Sequence, residues 1–198
     1  MTTEKQMVVP YITMWSEEDD LQNQVQALPG YGIRYVDEVI TDRDTHNILW
    51  YRTKSRPGQG RPIFGQVNSL RQRRAMRRTL CQVCGGPPDV NDQGVLWLLQ
   101  DHREDWPGWP TRMAVTEPPI CLSCAKATIR LCPALRKSAV AVRVQQAKLA
   151  GVHGVSYGPD ARPVNDTLVE FRDPSARWVV ARSLVRELHE CRIVPVPE

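Results

Sequence analysis

The sequence predicts a mixed α+β fold in one domain, residues 1–198, and three observations predict it. Two C-x-x-C pairs, Cys81/Cys84 and Cys121/Cys124, stand in the middle of the chain, where a shared metal ion would tie them together. Short runs rich in β-branched residues lie on both sides of the pairs and read as strands. Near the C-terminus, apolar residues recur at helical spacing. The domain then has a strand-rich part at 1–65, an arginine-rich helix with the metal-binding module at 66–135, and C-terminal strands with an amphipathic helix at 136–198.

In chain order, Met7 to Trp15 (MVVPYITMW) reads as a strand, and Pro10 near its start suits an edge. Ser16 is a natural N-cap for a short helix to Ala27, with Glu17, Glu18, Asp19 and Asp20 in its first turn and Pro29-Gly30 ending it. Gly32–Thr41 and Asn47–Thr53 read as two strands of a hairpin across Asp42–His46. A loop, Ser55–Pro62, precedes a helix over Ser69–Thr79. Past the first cysteine pair the run GGPPDVNDQG is turn-like, and Val95–Leu99 (VLWLL) is a strand. Arg103–Pro119 is irregular, with Trp106 and Trp109 between prolines.

The second cysteine pair opens a helix over Leu122–Leu131, stopped by Pro133. Ala139–Val144 and Thr167–Phe171 are strands. The last helix has Asp173 as N-cap and Pro174 at its first position, and Trp178, Ala181, Leu184, Val185, Leu188 and Cys191 form its apolar face.

With 41% hydrophobic and 24% charged residues the chain can bury a core and is not disordered. No apolar run is long enough to span a bilayer, and the N-terminus lacks the pattern of a signal peptide. The expectation is therefore a cytoplasmic protein with no membrane partner. In that compartment thiols stay reduced, and paired cysteines read as metal ligands. The net charge of +4 hides an uneven distribution: from Asp44 to Asp89 there are nine basic residues and no acid between, so the remainder is net acidic.

Two residues between cysteines let one tight turn aim both sulfurs at one metal, and Gly85-Gly86 supply the backbone freedom such a turn needs. Two such pairs give the four thiolates of a structural Zn2+ site, with no position open for a catalytic water. Cys121 and Cys124 fall on the first turn of a helix, whose positive end favours thiolates. Cys132 and Cys191 read as small core residues. A knuckle, a hairpin and a helix carrying the second pair look like the treble-clef zinc-finger arrangement, over roughly residues 80–132.

On the Ser69–Thr79 helix, Arg71, Arg74 and Arg78 share a face, with Arg73 and Arg77 beside it and Leu70, Met76 and Leu80 facing the core. Three readings compete for these arginines. They bind the phosphates of DNA or RNA; or they pair with the chain's own acids such as those at 17–20; or they offset the net charge of −2 on a four-thiolate zinc. The basic loop Arg52–Arg61 favours the first.

A treble clef with two C-x-x-C pairs resembles the zinc-bound HNH endonucleases. The resemblance implies His102 as general base and Asp101 as a residue of a catalytic metal site. The family's Asn before the second pair is missing from Val115–Pro119, and its His or Asn on the following helix is missing from Ala125–Thr128. The residues alone place Asp101-His102 at the polar end of the VLWLL strand. The whole chain also resembles a group of actinobacterial and phage-related zinc proteins. The shared features are the arginine run Arg71–Arg78, the Trp97–Trp109 spacer and the closing Trp178–Leu188 segment, and the resemblance brings no activity with it.

His46 is placed in a turn, His153 in a glycine-flanked loop and His189 at a helix end. No phosphate-binding loop or nucleophilic serine motif is present. The expectation is a zinc-stabilised binding protein rather than an enzyme, with DNA or RNA as partner through Arg71, Arg73, Arg74, Arg77 and Arg78. The alternatives are a divergent HNH-like nuclease and a protein-interaction or structural module.

Overall fold

The computed structural model describes residues 8–18, 24–136 and 138–197. The N-terminal part holds strands β1 (Thr13–Trp15), β2 (Val25–Leu28), β3 (Gly32–Tyr35), β4 (Leu49–Trp50) and β5 (Pro62–Val67). Helix α1 (Ser69–Arg78) leads to the first cysteine pair, followed by β6 (Val90–Asn91), β7 (Gly94–Gln100) and β8 (Ala114–Val115). Helix α2 (Leu122–Leu131) starts at the second pair. The C-terminal third is β9 (Ala139–Tyr157), β10 (Pro163–Glu170) and β11 (Val179–Val194).

The architecture rests on β9 and β11, two long strands paired antiparallel from Val179↔Ser156 to Val194↔Ala141. The other edge of β9 takes β7 along its first half and β10 along its second. On the outer edge of β11, β4 pairs in parallel at 180–181 and β8 antiparallel at 186–187. Leu184 lies between those two short strands, and Gln72 of α1 stands in for a strand there. Its amide oxygen accepts from Leu184 N at 2.9 Å, and its nitrogen donates to Leu184 O at 2.9 Å and Thr116 O at 2.7 Å. The buried edge is thereby satisfied without another strand.

Where β7 lies on β9, both faces of the sheet are covered, so Val140 to Val144 are buried in succession. One face carries Leu96, Leu98 and Ala141 against the cysteines. The other packs Trp97, Val140, Val142 and Val144 against Trp109 and Leu188. A third cluster seats α1 through Met76 on Trp50, Val152, Val179, Ala181 and Leu184.

The expected helices over Ser69–Thr79 and Leu122–Leu131 and the strand Val95–Leu99 are present. Ala139–Val144 and Thr167–Phe171 fall within or beside longer strands.

The C-terminal helix is not there. Asp173 and Pro174 do start a turn of 3-10 helix, with the Asp173 carboxylate accepting from Ser175 N at 2.8 Å, but the chain then enters β11. The reason lies in a β-bulge. Ala181 faces Gly154 and Ser183 faces His153, leaving Arg182 as an extra residue. The bulge turns the two-residue period of a strand into a step of three from Ala181 to Leu184. Leu188 follows two strand periods later, so a bulged strand and a helix leave the same apolar trace.

Near the N-terminus, Val25–Leu28 is a strand, so no helix reaches Ala27; Asp19 and Asp20 of its expected first turn lie outside the described residues. Pro29-Gly30 turns a β2–β3 hairpin, closed by Tyr31 N donating to Leu28 O at 2.9 Å. The expected pairing across Asp42–His46 reduces to a single bridge, Arg43↔Leu49, because β11 takes β4. The strand expected over Met7–Trp15 shortens to Thr13–Trp15 on β5, and Met7 itself lies outside the described residues.

Candidate metal centre and the arginine helix

The first cysteine pair is shaped by a turn in which Gly85 N donates to Cys81 O and Cys81 N to Gly86 O, both at 2.8 Å. Val83 N also points at the Cys81 sulfur, 3.4 Å away. Gly85 has φ 72°, a conformation that favours glycine, and lies under the Tyr11 ring, where a Cβ would sit 3.0 Å from a ring carbon and crowd it. Tyr11 N donates to Val83 O at 2.8 Å and ties the N-terminal segment across the turn.

The second pair is brought up by a backbone relay. Gln82 N donates to Pro119 O, Ile120 N to Leu96 O, and Asp89 N to Ile120 O. Cys121 is the N-cap residue of α2, with extended dihedrals and its carbonyl accepting from Ala125 N at 2.9 Å. Its sulfur therefore sits at the positive end of the helix.

The four sulfurs of Cys81, Cys84, Cys121 and Cys124 lie within 4.8 Å of one another, and those of Cys84 and Cys121 are 3.9 Å apart. A tetrahedral four-thiolate site with metal–sulfur bonds of about 2.3 Å has sulfur–sulfur edges of about 3.8 Å, so the donor set fits one ion. Burial pushes the Cys81 and Cys124 thiols up. Burial also raises Cys121, but hydrogen bonds from the Ser123 hydroxyl and Cys124 N–H outweigh it and bring that thiol down to about 7. Four thiolates this close repel one another, and a divalent cation at their centre removes the conflict. Ser123 and Tyr11 were not singled out in the sequence. Only the place of Ser123 inside C-x-x-C hints at its role.

Cys132 closes α2 and Cys191 packs beside the Trp97–Leu188 cluster; neither joins the metal group.

The five helix arginines separate into two sets, and this corrects the expectation that all five face a partner. Arg71 is buried. Its guanidinium binds both Glu18 carboxylate oxygens, at 2.5 and 2.7 Å, and donates to the carbonyls of Tyr11 and Thr13 at 2.6 Å each. Arg73 lies 3.9 Å over the Trp50 ring, and burial, then the charge of Arg77, lowers its pKa to about 10. Arg74, Arg77 and Arg78 are exposed. Arg77 has Asp44 at 3.8 Å, whereas Arg74 and Arg78 pair with no acid among the described residues. The core-facing side is Gln72, Ala75 and Met76, whereas Leu70, expected there, is 43% exposed. In the basic loop, Arg52 is held by Asp42 and Asp37, while Arg56 and Arg61 are exposed.

Asp101 and His102 do follow the β7 strand. The Asp101 carboxylate accepts from Arg103 Nε at 2.9 Å, and His102 Nδ1 faces Asp105 at 3.5 Å. Among the described residues, the four cysteines are the one group placed to hold a metal ion, and Asp101 and His102 are not part of it. His153 lies within β9, opposite Ser183, and not in a loop; His189 lies in β11 beside Glu187, and not at a helix end. Among the described residues, no helix is long and apolar enough to cross a membrane.

Comparison with protein-family models, curated proteins and solved structures gives no match for this chain.

Proposed function

We propose that the chain is a zinc-stabilised nucleic-acid-binding protein whose contact surface is the outer face of α1. The first cysteine turn, the β6–β7 hairpin and α2 make a treble-clef-like unit around Zn2+, the ion best matched to four thiolates in a closed tetrahedral set. In this reading the ion is structural: it joins the turn after α1 to the start of α2 and so fixes where α1 points.

The observation that carries the proposal is the state of Arg74. Arg77 and Arg78 occupy the last turn of α1, where cations suit the helix dipole by about 0.3–1 kcal/mol each, so their presence has a local explanation. Arg74 is mid-helix, exposed and without an acidic partner among the described residues, and it has the exposed Arg77 and Arg78 at spacings of three and four. Like charges so placed destabilise a helix, and an anionic partner removes that cost. A phosphate backbone supplies repeated anions to such a row. A gel shift titrated with salt tests the reading: retardation that salt abolishes and that Arg74→Gln weakens supports it, and a chain that never shifts DNA or RNA at low salt refutes it.

A further inference from the structure

A second feature lies at the other end of α1. The bulge in β11 that removes the expected helix sets Arg182 and Ser183 together opposite His153 of β9. Tyr51 joins them by donating its backbone N–H to Ala181 O at 2.8 Å, and the Arg182 guanidinium lies 5.0 Å from the Tyr51 ring. With Ser69, the first residue of α1, and Gln66, these residues line a cleft of about 260 Å³.

The chemistry of the lining is one-sided. Among the described residues it contains Arg182 and His153 and no acidic residue. Ser69 and Ser183 are only 2% and 4% exposed and line the cleft, and among the described residues their hydroxyls make no hydrogen bond. Neither hydroxyl is committed to a protein partner, so both can donate to a ligand in the cleft. The positive end of α1 adds to the field, although the Asn68 side chain already accepts from Leu70 N and Arg71 N. The bulge explains the arrangement, since bulges redirect a side chain that regular pairing would leave on the opposite face.

We infer that this cleft binds a small phosphate-bearing ligand, with Arg182, His153, Ser69 and Ser183 around the phosphate oxygens. Donors on separate elements suit a tetrahedral oxyanion better than a planar carboxylate, which a single in-plane fork serves. The volume falls just under the usual range for small-molecule sites, about 300–1,000 Å³, and so points to a compact ligand. This inference does not rest on the nucleic-acid reading, because the cleft and the outer face of α1 use different residues.

The test is calorimetric titration of the full chain with inorganic phosphate and, separately, with a nucleoside monophosphate, at constant ionic strength. Binding is expected for at least one of them, weakened tenfold or more by Arg182→Gln and by the double change Ser69→Ala/Ser183→Ala, and unchanged by Arg74→Gln/Arg78→Gln. Arg182 is exposed, so its replacement leaves the fold intact. Binding of the monophosphate alone marks an ester as the ligand, and binding of both marks the phosphate group itself. No heat from either, or binding that follows Arg74 and Arg78 and ignores Arg182, overturns the inference.

Discussion

Arg71 and Glu18, 53 residues apart in sequence, form a two-pronged ion pair in the interior, with side chains 5% and 0% exposed. The pair joins α1 to the segment after β1. Its remaining lone pairs and protons are also satisfied: Glu18 accepts from Trp15 N at 2.9 Å and Arg56 N at 2.7 Å, and Arg71 donates to two carbonyls. For Arg71, the reading that the helix arginines pair with the chain's own acids holds, and the residue is a fixed strut.

Removing one half of that pair leaves a buried charge without a partner. Glu18→Gln and Arg71→Gln are each expected to lower unfolding free energy by about 3–5 kcal/mol, measured by urea denaturation. Arg74→Gln, on the same helix but exposed, is expected to stay within about 0.5 kcal/mol of the parent.

The same pair makes an acid-sensitive contribution. Burial raises the Glu18 pKa, but hydrogen bonds from Arg71 and the Trp15 and Arg56 backbones, together with the Arg71 charge, leave it below its ordinary value of 4.5. A folded-state pKa below the unfolded one gives stability that is complete above 4.5 and lost as pH falls through the folded value. Urea midpoints taken from pH 6 down to pH 3 are therefore expected to fall more steeply in the parent than in Glu18→Gln. Parallel slopes count against it.

Metal removal should act on the whole central third. Purified chain is expected to carry one zinc per molecule, and structural zinc of this kind is worth about 10–16 kcal/mol of apparent binding energy. A strong chelator, or Cys84→Ser, is expected to abolish cooperative unfolding of the part that includes α2 and the β6–β7 hairpin. Cys132→Ser and Cys191→Ser should keep the metal. Elemental analysis of these variants checks the ligand set directly.

How much of this was legible in the sequence depends on the range of the interaction. The cysteine pairs were readable because C-x-x-C with following glycines, or at a helix start, is local geometry. So were α1 and α2, whose caps and apolar residues lie within ten positions. Pairing of helix arginines with the acids at 17–20 was one of the readings the sequence offered, and Arg71 with Glu18 bears it out; which arginine turns inward was not legible, because tertiary packing decides it. Nor was β11, where the bulge at Arg182 copies a helical period. Glycines flank His153 as they would in a loop, yet Gly151 and Gly154 serve close strand approach: a Cβ on Gly154 would lie 2.1 Å from Val180 O. Strand pairing of β4 with β11 likewise joins residues too far apart for any local pattern to announce.

Gln72 tests the packing of α1 on the sheet. Gln72→Leu keeps the volume and helix propensity but leaves Leu184 N and O and Thr116 O without partners. Each unsatisfied buried group costs about 1–3 kcal/mol, so a total loss of about 2–4 kcal/mol is expected once partial relaxation is allowed. The loss should appear as a lower urea midpoint with an unchanged slope, since the surface exposed on unfolding stays the same.

Nucleic-acid binding through α1 has a defined salt dependence, because only three helix arginines, Arg74, Arg77 and Arg78, remain on the outside. If Arg74, Arg77 and Arg78 each neutralise one phosphate of a duplex, the logarithm of affinity should fall with the logarithm of salt at a slope of about −2.7. Affinity would then drop about 40-fold between 50 and 200 mM salt, far less than for a protein using all the basic residues of this segment. Arg74→Gln/Arg78→Gln should reduce the slope by about 2, and Arg77→Gln by about 1. Arg77 has Asp44 at 3.8 Å to release first, so its removal should cost less affinity than removal of Arg74. A slope much steeper than −3 would move the contact surface beyond α1, toward Arg56 and Arg61 of the exposed loop.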